Sequence, residues 1–201
     1  MIALVDYGIG NLRSVSKAFT TAGAQVLLTS NPEEISQAEK IVLPGVGAFS
    51  DGMAGLKQRG LVEVILDAVH RQVPLLGICL GMQLLFENSS EMGETEGLGL
   101  LKGSVLRFSD PALKIPQTGW NQIEWSRAHP LLTGLSSGSY TYFNHSYYCQ
   151  PSDPADCIAM TDYGGHYASI TGRGRLYGVQ FHPEKSQEIG IRILRNFLEY
   201  C

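Results

Sequence analysis

Cys79 sits in the run V-P-L-L-G-I-C-L-G-M-Q-L-L-F (73–86), with a glycine two residues to either side. A short apolar run, Val73 to Ile78, leads into it, and a segment with helical character follows. This is the G-x-nucleophile-x-G layout of a strand–turn–helix elbow, with cysteine where other enzymes carry serine. Gly77 and Gly81 suit a sharp turn, because a side chain at either position would crowd the strand or the incoming helix. The nucleophile of such an elbow takes a strained backbone conformation. A cysteine at a helix N-terminus also meets exposed N–H groups and the positive end of the helix dipole, which favour thiolate over thiol. Taken alone, the segment equally suits a buried thiol, since free cysteine is among the most buried residue types.

Two other segments supply what a thiol nucleophile needs. In G-V-Q-F-H-P-E (178–184), Val179 and Phe181 alternate with Gly178 and Gln180 as in a strand, and His182 falls at its end. Residues two apart in extended chain point the same way, so Glu184 could reach the His182 ring. Pro183 keeps His182 out of helical conformation. A histidine oriented by a carboxylate can accept the thiol proton and hold it as imidazolium. The third segment is Pro44-Gly45-Val46-Gly47-Ala48-Phe49. A thiolate attacking a carbonyl builds negative charge on oxygen, and each preorganised N–H donor facing it is worth about 3 kcal/mol. The N–H of Leu80, just after the cysteine, and that of Val46 in this loop are the candidates.

Rival chemistries fit less well. Cys79, His182 and Glu184 could in principle hold zinc, but no close-spaced ligand pair supports a metal site, so none is expected. G45-x-G47-x-x-S50 and G8-x-G10-x-x-R13 both lack the third glycine of a dinucleotide loop. No G-x-x-x-x-G-K-[ST] occurs, and no cofactor is expected. His70 and His129 read as surface or loop residues. His145 and His166, in the aromatic second half, stay open.

The elements that must position these groups alternate between strand and helix over the first half. Ile2 to Val5, Gln25 to Thr29, Lys40 to Leu43 and Val73 to Ile78 read as strands. Leu12 to Ala22, Pro32 to Ala38 and 50–71 (broken near Gly60) read as helices. From about Gly99 to Tyr177 helix signals fade, and short antiparallel strands and loops are expected. Val179 to Phe181 returns to the main sheet, and Gln187 to Tyr200 closes the chain as a helix. The expectation is an α/β fold: one doubly wound, mainly parallel sheet with a small antiparallel addition in the second half, forming a single domain over 1–201. Ligands of such sheets bind outside the carboxyl ends of the strands, where three of four loops carry glycine- or histidine-rich sequence.

Composition agrees. Hydrophobic content of 44% with 17% charge describes a folded globular chain, and a net charge of −4 without a basic stripe disfavours nucleic acid. Apolar runs are too short for a spanning helix, and M-I-A-L-V-D-Y shows no secretory leader. The four cysteines form no C-x-x-C pair, which favours a reduced, cytoplasmic setting with Cys149, Cys157 and Cys201 structural or incidental.

Together these segments resemble the class I, triad-type glutamine amidotransferases, whose G-x-C-x-G-x-Q elbow and H-P-E pair match Cys79, Gln83, His182 and Glu184. D-Y-G-I-G-N-L-R-S (6–14), P-G-V-G-A-F (44–49), G-W-N (119–121), Y-F-N-H-S-Y-Y (142–148) and G-V-Q-F-H-P-E-K-S (178–186) look like the glutaminase subunits of imidazole glycerol phosphate synthases. Asn144 departs from the apolar residue expected there. The resemblance implies a flavodoxin-like fold and glutamine hydrolysis by a catalytic Cys79–His182–Glu184 triad, with an oxyanion hole at Val46 and Leu80. Gly45, Gly47, Gln83, Ser146 and Tyr147 would hold glutamine. It further implies a heterodimer with a (β/α)₈-barrel cyclase, which receives ammonia for histidine biosynthesis, and an interface touching Asn11, Trp120, Tyr142 and Lys185. A glutaminase subunit of another amidotransferase, a stand-alone cysteine hydrolase of similar fold and a degenerate binding scaffold remain as alternatives.

Overall fold

A computed structural model describes residues 1–201. The first half runs β1 (Ile2–Val5), α1 (Leu12–Ala22), β2 (Val26–Thr29), α2 (Pro32–Ser36), β3 (Lys40–Leu43), α3 (Phe49–Gln58), α4 (Leu61–His70), β4 (Leu75–Ile78) and α5 (Leu80–Gln83). The second half runs β5 (Phe86–Ser89), β6 (Thr95–Glu96), β7 (Leu101–Arg107), β8 (Gln117–Ile123), β9 (Ser139–His145), β10 (Tyr147–Pro151), β11 (Cys157–Asp162), β12 (His166–Arg173), β13 (Leu176–Val179) and α6 (Gln187–Tyr200). Over the first half, through β4, element types follow the sequence pattern, with boundaries shifted by one or two residues.

Five strands in the order β2-β1-β3-β4-β13 pair in parallel. Beyond β13 the same sheet continues as β12-β10-β7-β5-β6, and β11 pairs with β12, giving eleven strands. β8 and β9 form a separate antiparallel pair. The second-half addition is thus larger than expected, begins at Phe86 rather than near Gly99, and is antiparallel except for one parallel pair, β5 with β7. The reason lies after Cys79, where the expected helix stops after one turn. The Leu84 and Leu85 carbonyls accept N–H groups from Leu98, Leu100 and Leu101, so no further helical turn can use them.

Alternation along the strands builds a core on each face of the sheet. Ile2, Leu4, Leu76, Ile78 and Val179 bury against α1 and α6, where Phe19 and Phe197 meet edge-on at 6.4 Å. That aromatic contact contributes about 0.5–1.5 kcal/mol beyond its buried area. Ala3, Val5, Ile41, Leu43 and Leu75 bury against α2, α3, α4 and α5 on the other face. Helix ends follow local chemistry: Asn11 caps α1 by accepting the Ser14 N–H, and Gly23 ends it at φ 104°.

The approach of α5 to β4 depends on two glycines. A Cβ on Gly77 would stand 2.6 Å from the Gly81 carbonyl oxygen, and one on Gly81 would strike the Leu43 carbonyl of β3. Both obstacles are backbone, so neither can swing aside. Gly81→Ala should destabilise the chain by about 1–3 kcal/mol, as overpacking does. Urea unfolding reads this directly, and an unchanged midpoint would show that α5 is loosely seated.

Candidate active site

Cys79 lies between the end of β4 and the first turn of α5, at φ 54° and ψ −111°, a region L residues rarely occupy. Such a conformation costs about 1–3 kcal/mol and persists only where its surroundings fix it. Here the Cys79 N–H donates to the Val179 carbonyl at 2.8 Å, while Gly77 and Gly81 let α5 close over the turn. The side chain is 5% exposed and opens onto a cavity of about 270 Å³. Val46, Leu80, Gln83, Tyr147 and His182 share its wall.

His182 lies three residues beyond β13, whose last rung is Val179, so the strand begins and ends earlier than the Val179–Phe181 expected from its alternation. Its Nδ1 contacts Glu184 Oε1 at 2.9 Å, with both side chains almost wholly buried. The expected pair therefore forms, by a different route. Pro183–Lys185 is a 3₁₀ turn rather than extended chain, and the turn brings the carboxylate back to the ring. Burial works against a charged ring. The nearby Cys79, then the hydrogen bond to Glu184 and its charge, outweigh it and push the His182 pKa up to about 10. The ring thus carries its proton at neutral pH.

The Pro44–Phe49 loop crosses the mouth of the elbow. Tyr7 Oη donates to the Pro44 carbonyl from beneath, and burial, then the nearby Cys79 charge, hold this phenol well above its ordinary pKa. Gly45 is buried rather than cavity-lining: a Cβ there would strike Tyr7 Oη and sit 2.9 Å from Leu80 Cβ. Val46 and Gly47 line the cavity; Val46 is 41% exposed, its N–H carries no intramolecular hydrogen bond, and Gly47 takes φ 103°. Leu80 is the first residue of α5, so its N–H has no acceptor within the helix. Glu91, which sequence reasoning passed over, lines the cavity and accepts the Phe49 N–H at 2.7 Å, fixing the far end of the loop at the start of α3.

The opposite wall is the β9–β10 connection. The Tyr147 carbonyl is held twice, by Gln83 Nε2 at 3.0 Å and by His145 Nδ1 at 2.7 Å. Gln83 thus lines the cavity while its amide is engaged on the wall, and Ser146 and Tyr147 line it too. His145 reaches Tyr167 Oη through Nε2 at 3.2 Å. Burial, with some help from the His182 charge, lowers its pKa to about 4 against the opposing Tyr147 hydrogen bond, so it is neutral. Gln180, also missed, is fully buried, with Nε2 at 3.8 Å from Cys79 Sγ. Its contacts join segments about a hundred residues apart in the chain, which no local pattern reveals.

Three of the four residues expected at an interface gather at the rim. Trp120 and Tyr142 are register partners on β8 and β9 with rings 6.1 Å apart, and Lys185 Nζ stands 5.5 Å from the Tyr142 ring. Trp120 is 47% exposed. Asn11 stands apart from them as the exposed cap of α1. Asn144 accepts the Thr118 hydroxyl across the β8–β9 pair, which accounts for a polar residue there. All four cysteines are free, and no helix is long and apolar enough to cross a membrane.

Residues 3–201 match the family model for glutamine amidotransferase class-I. The chain is 50% identical over 199 residues to "Imidazole glycerol phosphate synthase subunit HisH" of Dehalococcoides mccartyi, covering 99% of this chain and 97% of that one. It is 46% identical over 204 residues to the protein of the same name from Sulfurimonas denitrificans, covering 100% and 98%. Among solved structures, a chain of PurLQS from Thermotoga maritima superposes with a TM-score of 0.77 at 20% identity, covering 99% of this chain and 97% of that chain, a likeness of fold alone.

The charge state of His182 is open to measurement. An unfolded histidine titrates near about 6.5. The stability gained from the raised value is therefore full below that pH and lost as pH rises through about 10. NMR titration of the ring should place its midpoint far above the unfolded value. Glu184→Gln should move it down, by removing one raising charge, and an unmoved midpoint would show that Glu184 does not set the proton affinity.

Proposed function

Because the chain belongs to the class-I glutamine amidotransferases, we propose that it is the glutaminase subunit of an imidazole glycerol phosphate synthase, with Cys79, His182 and Glu184 as its catalytic triad. The observation that carries the site is the strained Cys79 on the same cavity wall as His182, whose ring is backed by Glu184.

In this reading His182 begins the cycle charged, so its first proton transfer is to the leaving nitrogen. The Cys79 thiolate attacks the side-chain amide carbon of glutamine, and the carbonyl oxygen takes up negative charge facing the Val46 and Leu80 N–H groups. Collapse breaks the C–N bond as His182 protonates the nitrogen, releasing ammonia and leaving a γ-glutamyl thioester. Neutral His182 then takes a proton from water, and the hydroxide attacks the thioester. Glutamate departs, the sulfur leaves as thiolate and the imidazolium is restored. Glu184 holds the ring through Nδ1, which leaves Nε2 for each transfer.

Glutamine would lie between Gly47 and the Ser146–Tyr147 backbone. Gly45 and Gln83 act from behind, the first by letting the loop approach and the second by fixing the Tyr147 carbonyl. The ammonia would pass to a (β/α)₈-barrel cyclase in a heterodimer, for histidine biosynthesis. Relatives named as synthase subunits at 46–50% identity over the full chain support that partner. The exposed Trp120, with Tyr142 and Lys185, and Asn11 on the same side of the sheet ends, are the proposed contacts.

A glutamine-mimicking electrophile should add one mass to the chain, mapped to Cys79. Labelling elsewhere, or none with the cyclase present, would sink the mechanism. Cys79→Ala should abolish glutamine-dependent synthesis by the complex yet spare synthesis from added ammonia. Glutamine hydrolysis by the isolated chain should be slow and accelerate with the liganded cyclase; full activity alone would favour a stand-alone hydrolase.

A further inference from the structure

Behind the nucleophile, away from the cavity mouth, a chain of side-chain amides joins the pocket wall to the sulfur. Its direction follows from its far end. The Tyr147 carbonyl can only accept, so Gln83 must turn its NH₂ toward it, at 3.0 Å. The second hydrogen of that NH₂ meets Gln180 Oε1 at 3.2 Å. The acceptor side of Gln180 is thereby occupied, and its own NH₂ is left facing Cys79 Sγ at 3.8 Å, within reach of the large sulfur atom. Gln180 cannot turn round without setting two NH₂ groups against each other. Its backbone is fixed as well, because its N–H donates to the Ser169 carbonyl at 2.9 Å.

We infer that Gln180 is a positioning residue of the nucleophile: its amide donates to the Cys79 thiolate, holds the sulfur toward the cavity, and is itself aimed by Gln83. The side chain is fully buried, so this donor replaces the water that would otherwise solvate sulfur on that side. Hydrogen bonds to a charged acceptor favour the charged form, so such a donor favours thiolate over thiol. It carries no charge and has no titratable proton, so it does not compete with the imidazolium in proton transfer. Removing the donor while keeping the acceptor for Gln83, as in Gln180→Glu, should reduce the thiolate fraction and leave the Gln83–Tyr147 contact in place.

This inference rests on the proposed nucleophilic role of Cys79, and its test separates the two. The measurement is the pH dependence of Cys79 alkylation by iodoacetamide in the full chain, with the modified peptide identified by mass. Gln180→Glu keeps the volume and the acceptor for Gln83 but sets a carboxylate oxygen toward the sulfur. Gln180→Met removes the donor without adding charge. The alkylation midpoint should rise in both, more in Gln180→Glu, where a shift of about one pH unit means about tenfold less thiolate at a fixed pH below it. Glutaminase kcat of the Gln180→Glu complex should fall with KM nearly unchanged. If Gln180→Met fails to fold, Gln180→Glu decides alone. A midpoint that stays put in a folded variant overturns the inference, as does a rise in KM alone. Loss of labelling by the glutamine mimic in the unaltered chain would instead overturn the nucleophile reading.

Discussion

The hydrogen bond from the Cys79 N–H to the Val179 carbonyl continues the β4–β13 ladder one residue past the end of β4, and it holds a backbone conformation that L side chains avoid. Without it the turn could relax to ordinary dihedrals and carry the sulfur into the sheet. Two close approaches make the constraint rigid: Gly77 lies against the Gly81 carbonyl, and Gly81 lies against Leu43 on the next strand. Because β4 and β13 run parallel side by side, the same rung also fixes where the histidine arrives. Cys79 emerges one residue after its strand and His182 three after its own, at a common sheet edge, where open α/β sheets bind ligands.

Charge placement around that edge is selective. Glu184 is almost wholly buried, and its Oε2 has no protein hydrogen-bond partner, so the carboxylate depends on the His182 ring for compensation. Removing one member of such a pair leaves an uncompensated buried charge, which costs about 3–5 kcal/mol. The two histidines of the cavity are driven apart by their neighbours. His182 faces a carboxylate and a thiol and holds a proton, whereas His145, buried and bonded to a carbonyl and a phenol, stays neutral. In the proposed mechanism the first would serve as the acid, while the second is a fixed donor to the Tyr147 carbonyl.

Much of this was legible in sequence because it is local. Glycines flanking a cysteine report a sharp turn whatever the tertiary context, and Gly23, just past Ala22, marks the end of α1 through backbone chemistry alone. The reading faltered where local pattern was ambiguous. The run Leu84-Leu85-Phe86 suits a helix or a strand equally, and carbonyls claimed by residues 98–101 decided it. Glu184 was paired correctly with His182 but given extended geometry, because spacing of two is compatible with a 3₁₀ turn as well. Tyr7, Glu91, His145 and Gln180 lay beyond reach, since each acts through a partner distant in the chain or through a carbonyl that any residue could supply.

The rim, too, is tied to the chemistry. β8 and β9 lie outside the main sheet, yet the Tyr142 carbonyl of β9 accepts the His182 N–H at 2.9 Å. The Tyr142 N–H donates to Ser186 Oγ at 3.0 Å, and that hydroxyl donates to the His182 carbonyl at 2.7 Å. The His182 N–H is therefore held directly by the hairpin that presents Trp120 to solvent, and its carbonyl through Ser186. Separating β9 from His182 would strand that buried N–H without its acceptor, at a cost of about 1–3 kcal/mol. The exposed aromatic face is therefore linked to the His182 backbone through β9, whereas the Cys79 N–H is held by Val179 of β13, so the two groups are positioned from different elements.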